Sequence, residues 1–213
     1  MKKVLYYGAA LVASLSLLGS AGVANAAANP NSNASDSNKL LCFSGTTDPY
    51  GYGGTCTITK GGATLNNADS NVNGDYSGVY IQGSNLIGKN LANVGNLSYN
   101  YSGNVTPGPG DLSLNVPVDV NGDGNTDAYL FIDAAYCGGT GGHVDVINDA
   151  NCGIYYNGSV FYPNWAAVVA AYPGATVTSD LPFIVAERTP SEPSAIWTIS
   201  NVHLGKAART TGR

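Results

Sequence analysis

The fold is decided by residues 112–133, which read Leu-Ser-Leu-Asn-Val-Pro-Val-Asp-Val-Asn-Gly-Asp-Gly-Asn-Thr-Asp-Ala-Tyr-Leu-Phe-Ile-Asp. Leu112, Leu114, Val116 and Val118 occupy alternate positions, so in an extended chain they share one face. Pro117 lies inside this run, and because proline donates no ladder hydrogen bond, it predicts an edge strand or a bulge. A turn-rich segment and a second apolar run follow, so the stretch predicts two strands joined by a loop.

Similar short runs recur along the chain between turns rich in glycine, asparagine and aspartate. The predicted strands are residues 40–44, 55–59, 76–82, 97–101, 112–120, 128–133, 144–147, 182–186 and 195–204. Only 11% of the 213 residues are charged, the formal net charge is -5, and 28 residues are glycine. An average domain has about 25% charged residues. We therefore expect an all-β fold, a single antiparallel β-sandwich of jelly-roll type over residues 39–206, and no nucleic-acid partner.

The loop between the two strands is the most specific motif in the chain. Oxygen-bearing side chains recur at its positions 1, 3, 5 and 9, with glycine at position 6. A hard cation such as Ca²⁺ takes six to eight oxygen ligands around one point. The candidate calcium ligands are Asp119, Asn121, Asp123, Asn125 through its backbone carbonyl, and Asp127. A hairpin turn built on Asn-Gly or Asp-Gly is the alternative interpretation.

This Asp-x-Asn-x-Asp-Gly-x-x-Asp run resembles the calcium loops of EF-hand-like, dockerin and FG-GAP proteins. It departs from the EF-hand pattern because position 12 is Leu130 rather than glutamate, and because strands flank it. The strand–loop–strand setting is most similar to the FG-GAP type. The resemblance implies Ca²⁺ as a structural cofactor.

The N-terminus has the three parts of a secretory signal peptide over residues 1–26. Lys2 and Lys3 precede an apolar stretch, and Ala24-Asn25-Ala26 forms a cleavage signal. A membrane anchor is the alternative, since about 20 apolar residues can span a bilayer, but glycine and serine interrupt the stretch. We expect a secreted, extracellular protein with no membrane attachment after cleavage. We also expect a disordered leader over residues 27–38 and a flexible tail over residues 207–213.

The four cysteines form two close pairs in the sequence. Cys42 precedes Cys56, and Cys137 precedes Cys152. Three disulfide connectivities are possible in an exported protein. Local pairing, Cys42–Cys56 and Cys137–Cys152, closes loops of about 15 residues, each worth about 3 kcal/mol, and is the pairing that we predict.

One short helix is predicted near residues 164–172. Asn164 is a typical N-cap residue, and Pro173-Gly174 ends the alanine-rich segment. Trp165 and Tyr172 fall on one helical face, which either packs on a sheet or offers Trp165 as a platform for a sugar. A second group of aromatic residues lies in loop-like segments and gives candidate ligand-binding positions. They are Tyr50, Tyr52, Tyr155, Tyr156 and Tyr162.

Residues 194–205, Ser-Ala-Ile-Trp-Thr-Ile-Ser-Asn-Val-His-Leu-Gly, are similar to the closing strand of jelly-roll carbohydrate-binding modules. Residues 112–133, with the Asn-Trp-Ala helix start and the Pro-Phe-Ile-Val-Ala strand, resemble segments of uncharacterised secreted bacterial β-sandwich proteins. These resemblances imply a non-catalytic module that binds polysaccharide or cell-surface glycan.

Two other functions remain open. The first is a structural or adhesive cell-surface protein with a protein partner, which a long bare edge strand or a broad apolar patch would favour. The second is a jelly-roll hydrolase, which a cleft with Glu187 opposite Asp133 or Asp145 would favour. An exposed aromatic row on one sheet face or rim would favour the glycan-binding module.

Overall fold

The computed structural model describes residues 39–47, 49–67, 74–137, 142–189 and 192–205. The predicted signal peptide, the leader over residues 27–38 and the tail over residues 207–213 lie outside the described residues. Within them, no helix is both long enough and apolar enough to cross a membrane.

Thirteen strands form in these described ranges. They are β1 (Lys39–Ser44), β2 (Thr55–Thr59), β3 (Gly62–Asn67), β4 (Asp75–Gln82), β5 (Leu97–Gly103), β6 (Leu112–Asp119), β7 (Ala128–Asp133), β8 (His143–Asp145), β9 (Ile154–Tyr156), β10 (Val160–Tyr162), β11 (Thr176–Val177), β12 (Phe183–Arg188) and β13 (Ala195–Leu204). The helix α1 spans Trp165–Ala171, and short 3-10 helices span Gly45–Thr47, Leu91–Asn93 and Ala134–Tyr136.

The strands form two antiparallel sheets, which confirms the all-β sandwich. The large sheet has eight strands in the order β1-β4-β12-β6-β7-β9-β10, with β11 also paired to β6. The small sheet has five strands in the order β2-β3-β13-β5-β8.

The main core lies between the two sheets. The alternating residues Leu112, Leu114, Val116 and Val118 of β6 are all 1% exposed or less, as predicted, and belong to the same apolar cluster as Trp197 of the small sheet. Each fully buried leucine or valine contributes about 1.5–3 kcal/mol by leaving water. This alternation therefore fixes which face of β6 points at the small sheet.

The expectation that Pro117 marks an edge or a bulge is wrong. Strand β6 lies inside the large sheet, and its register with β7 runs without a shift from Ser113 to Val118. Proline is tolerated there because the neighbour on the other side changes from β12 to β11 at this point. The carbonyl of Pro117 accepts a hydrogen bond of 3.2 Å from the Thr178 N–H, so only a donor is missing from the strand.

Both predicted disulfides form. Cys42–Cys56 joins β1 of the large sheet to β2 of the small sheet, and Cys137–Cys152 closes the second local loop. The first bond ties the two layers together at one edge of the sandwich.

The helix forms where it was predicted. The Asn164 side chain accepts from the Ala167 N–H at 3.0 Å, which caps the first turn. Trp165 is 6% exposed, and its Nε1 donates to the Leu91 carbonyl at 3.2 Å. The Trp165 ring therefore packs in the core, and the sugar-platform interpretation of this residue is wrong.

Candidate functional site: the carboxylate loop and the aromatic face

The carboxylate loop is defined here as residues 119–127, at the junction of β6 and β7. One oxygen of Asp119 accepts from the N–H groups of Asn121 at 3.1 Å and Gly122 at 2.6 Å, and the other accepts from Gly124 at 2.8 Å. These hydrogen bonds, with that of Gly124 the most effective, hold the pKa of Asp119 below its ordinary value. Gly124 has φ +85°, so the glycine at position 6 is required by the backbone, as the motif predicts.

The other side chains of the loop continue this pattern. Asn121 accepts from the Asp123 N–H and Asp123 from the Asn125 N–H, both at 2.8 Å. Asp127 accepts from the N–H groups of Val120 at 2.8 Å and Asn121 at 3.1 Å. The side chains of Asp119, Asn121, Asp123 and Asp127 thus fold back on the loop's own backbone.

The Asn121 side chain connects two of the carboxylates. Its Nδ2 lies 2.9 Å from Asp127 Oδ1 and 3.4 Å from Asp123 Oδ2. Backbone and side-chain amide N–H groups thus direct the positive ends of their dipoles at these carboxylates. Across the described residues, no three His, Cys, Asp or Glu side chains are grouped so as to hold a metal ion.

A shallow recess of about 210 Å³ adjoins the carboxylate loop. It is lined by Asp119, Gly124, Ile87, Gly88 and residues 176–179. The Thr126 hydroxyl is 2.6 Å from the Thr178 hydroxyl and donates to Asp180 at 2.6 Å. These contacts anchor the loop to the segment that follows β11.

The second candidate site, the aromatic face, is the face of the large sheet turned away from the small sheet. Strand registers align one residue from each of seven strands in a row across it. The row is Leu41, Tyr80, Phe183, Asn115, Phe131, Tyr155 and Phe161. Because neighbouring strands lie about 4.8 Å apart, the row spans about 29 Å.

Further rings flank the row and contact it. Phe43 lies 4.6 Å from Tyr80 between ring centroids, and Tyr129 lies 5.8 Å from Phe183 and 6.4 Å from Phe131. Phe43 lies over Gly78 of β4, where any side chain would collide with its ring. The aromatic layer explains why every residue of β6 is buried, including those that alternate away from the core.

Exposure increases along the row from its centre to the β10 edge. Asn115 is 0% and Phe183 5% exposed, Phe131 and Tyr155 are partly exposed, and Phe161 is 50% exposed. Asn115 Nδ2 donates to the Ser113 hydroxyl at 3.0 Å, whereas its buried Oδ1 has no hydrogen-bond partner. The face therefore has a closed centre and an open aromatic edge.

The five predicted tyrosines do not form one site. Tyr155 belongs to the row, and Tyr52 packs beside it, 5.6 Å from Tyr76. Tyr156 and Tyr162 point to the other side of the sheet, where Tyr156 stacks on Tyr172 at 4.8 Å. Tyr50 is 65% exposed in a turn outside the row.

Sequence reasoning missed most of the aromatic face. The missed residues are Phe43, Tyr76, Tyr80, Tyr129, Phe131, Phe161 and Phe183. Tyr129 and Phe131 occupy alternate positions of the predicted strand 128–133. This alternation was the signal in the sequence that could have identified them.

Two carboxyl groups with raised pKa values lie at one border of this face. Burial raises the pKa of Asp133 to about 6, although both its oxygens accept hydrogen bonds, from the Gly110 and Ala135 N–H groups. Burial, with the nearby Asp133 and Asp111 carboxylates, raises the pKa of Glu187 to about 8. Asp111 itself pairs with Arg188 at 3.2 Å. Asp145 lies on β8 of the small sheet and not with these groups.

No family model, curated protein or solved structure matches this chain. What the protein does must therefore be inferred from the carboxylate loop and the aromatic face.

Proposed function

We propose that this protein is a secreted, non-catalytic module that binds polysaccharide or cell-surface glycan on its aromatic face. The observation that carries the proposal is the register-aligned row of Tyr80, Phe183, Phe131, Tyr155 and Phe161. An aromatic ring offers a rigid apolar surface that matches the apolar face of a pyranose. The two disulfides agree with secretion, because such bonds persist in oxidising compartments.

The open β10 edge of the face is where binding is expected to start. Phe161 is half exposed there, and its ring lies 5.1 Å from that of Tyr155. The Tyr136 ring packs against both, 5.8 Å from Tyr155 and 6.4 Å from Phe161, and half of the Phe161 side chain is still in water. Covering this pair with a sugar ring therefore gains apolar burial without displacing a packed element.

A glycan array probed with residues 27–213 tests the proposal. We expect binding to a defined group of glycans that is weakened at least about fivefold when Tyr155 and Phe161 are both replaced by alanine. The control is Ile196→Ala, which removes a side chain that is 39% exposed on the small sheet. Binding to no glycan would contradict the proposal and favour the protein-binding alternative.

We further propose that Ca²⁺ stabilises this module through the carboxylate loop. Support comes from the donor set, since three carboxylates and two asparagines within nine residues supply the oxygen ligands that Ca²⁺ prefers. Asp119, Asn121, Asp123, Asn125 and Asp127 would hold the ion. The Asn121 Nδ2 donates to both Asp123 and Asp127. A bound cation would replace it as the positive group between these two carboxylates.

A glycoside hydrolase is the second candidate, and one observation favours it. Glu187 has a pKa of about 8 and lies near Asp133, as an acid and its partner would. Asp133 is occupied by two backbone N–H groups, and Glu187 lines neither the recess beside the carboxylate loop nor a second recess at residues 101–107. Release of reducing ends from a bound glycan, lost in Glu187→Gln, would favour the hydrolase over the binding module.

A further inference from the structure

We infer that the aromatic face takes a single extended chain of an uncharged polysaccharide, and not the flat surface of a crystalline one. This inference rests on the proposed function and specifies its ligand. It follows from the alignment, the inclination and the charge of the groups on the face.

The alignment of the row favours a polymer over the end of a glycan. Seven residues from seven strands lie side by side over about 29 Å, perpendicular to the strands. Recognition of a chain end requires a closed pocket, and neither the recess at residues 101–107 nor the one beside the carboxylate loop is lined by a residue of the row. A repeating chain can contact the partly exposed rings of the row, Tyr80, Phe131, Tyr155 and Phe161, on either side of its closed centre.

The inclination of the rings disfavours a flat ligand, because inclined rings cannot all stack on one plane. Along the face, successive rings meet at 40° for Phe43 and Tyr80, 69° for Tyr80 and Phe183, and 51° for Tyr129 and Phe131. Tyr155 and Phe161 at the open edge meet at 57°. By contrast, Tyr156 and Tyr172 on the other side of the sheet are nearly parallel, at 19°.

The twist of the sheet acts in the same direction. Adjacent strands rotate by about 20–25°, so a row across seven strands turns by roughly 120° from end to end. A crystalline surface is planar and can therefore contact only one or two of these rings. A single chain can rotate about its glycosidic bonds and follow the row.

The charged groups on the face favour an uncharged chain. Lys39 lies at the β1 end of the face, whereas Asp133 and Glu187 lie at one border of its middle. At neutral pH the Asp133 carboxyl, with a pKa of about 6, is largely ionised and repels a polyanion, and the formal net charge of the whole chain is -5.

The test compares two physical forms of the same polymer. Cellulose, chitin and amylose are each offered to residues 27–213 in amorphous or soluble form and in crystalline or granular form, and the bound fraction is measured at equal accessible mass. For at least one polymer we expect the amorphous or soluble form to bind about tenfold more tightly. Tyr155→Ala should weaken that binding, and Ile196→Ala should not.

The outcomes separate this inference from the function on which it rests. Equal or tighter binding to the crystalline form, still sensitive to Tyr155→Ala, would overturn the inference and keep the glycan-binding function. Tighter binding to a polyuronate, such as polygalacturonate, than to any neutral chain would overturn the uncharged class. If the protein bound none of these polymers and no glycan of the array, both this inference and the glycan-binding function would be overturned.

Discussion

The two faces of the large sheet bury their side chains in different ways. The inner face carries aliphatic residues, such as Leu114 and Ile132, that are covered by the small sheet and are 0% exposed. The outer face carries aromatic residues that cover one another, and their exposure ranges from 5% at Phe183 to 50% at Phe161. A face closed by a second layer contributes to stability, whereas a face closed only by its own rings keeps surface available to a ligand.

The largest expected effect distinguishes the two faces by stability. Leu114 lies between Ile184 and Ile132 in the sheet. Leu114→Ala should lower the free energy of unfolding by about 2–5 kcal/mol, because it leaves a cavity in a sealed core. Phe161→Ala should cost less than about 1 kcal/mol, because half of that side chain is already in water. Urea denaturation of both variants measures the difference, and equal losses would mean that the outer face is structural.

A second effect concerns the carboxylate loop, which connects β6 to β7. Each of these strands contributes side chains to both faces of the large sheet. If Ca²⁺ binds only the folded state, a concentration about 100 times its Kd should add about 2.7 kcal/mol. The Tm should rise with Ca²⁺, fall with a chelator and respond less to Mg²⁺, which requires a tighter octahedral shell. Differential scanning calorimetry measures these shifts.

Asp123→Ala should remove most of this calcium response. Asp149→Ala is the control, since Asp149 lies outside the carboxylate loop and its carboxylate accepts from the Asn151 N–H. Asp180 also lies outside the loop, but it is not a suitable control position because it accepts a hydrogen bond from Thr126 of the loop. A Tm that neither Ca²⁺ nor chelator changes would leave the loop as a connection stabilised by its own backbone.

A smaller effect concerns pH and the border of the aromatic face. The pKa of Glu187 is raised from 4.5 to about 8, so the folded state favours the protonated form. Its stabilising contribution is complete below pH 4.5 and is lost as the pH rises through about 8. Glu187→Gln should therefore become more stable relative to the wild type as the pH rises from 5 to 9, as measured by urea denaturation.

Glu192→Gln makes the same chemical change outside the aromatic face. If its relative stability rose by the same amount over this pH range, the loss of one negative charge anywhere would explain the result. The environment of Glu187 on the face would then have no special effect.

The elements that sequence predicted well depend on local signals. Asn164 and Pro173-Gly174 define the ends of α1, and short spacing favours the two disulfides. The alternation in β6 predicted one buried face. The apolar runs beside the carboxylate loop likewise predicted its flanking strands, and its motif includes the glycine that the backbone requires, because these are properties of a few consecutive residues.

The missed elements lack such signals or depend on distant residues. Strand β3 is mostly small and polar, and β9 and β10 have only three residues each. Asn157 and Gly158, with φ of 49° and 65°, form the tight turn between β9 and β10, a hairpin signal that was available in the sequence. The aromatic row could not be predicted, because it depends on the registers of seven strands that are far apart in the chain.

Two neighbouring residues of β9 allow the most direct test of the central claim. Tyr155 faces outward in the row, and Tyr156 faces inward against Tyr172. The ring resonances of both are followed by NMR while a neutral glycan selected on the array is added. We predict that Tyr155, Phe161 and Phe131 shift in proportion to saturation, while Tyr156 and Tyr162 do not. Shifts confined to Tyr156 and Tyr162, or the absence of shifts in the row at saturation, would contradict the assignment of binding to the aromatic face.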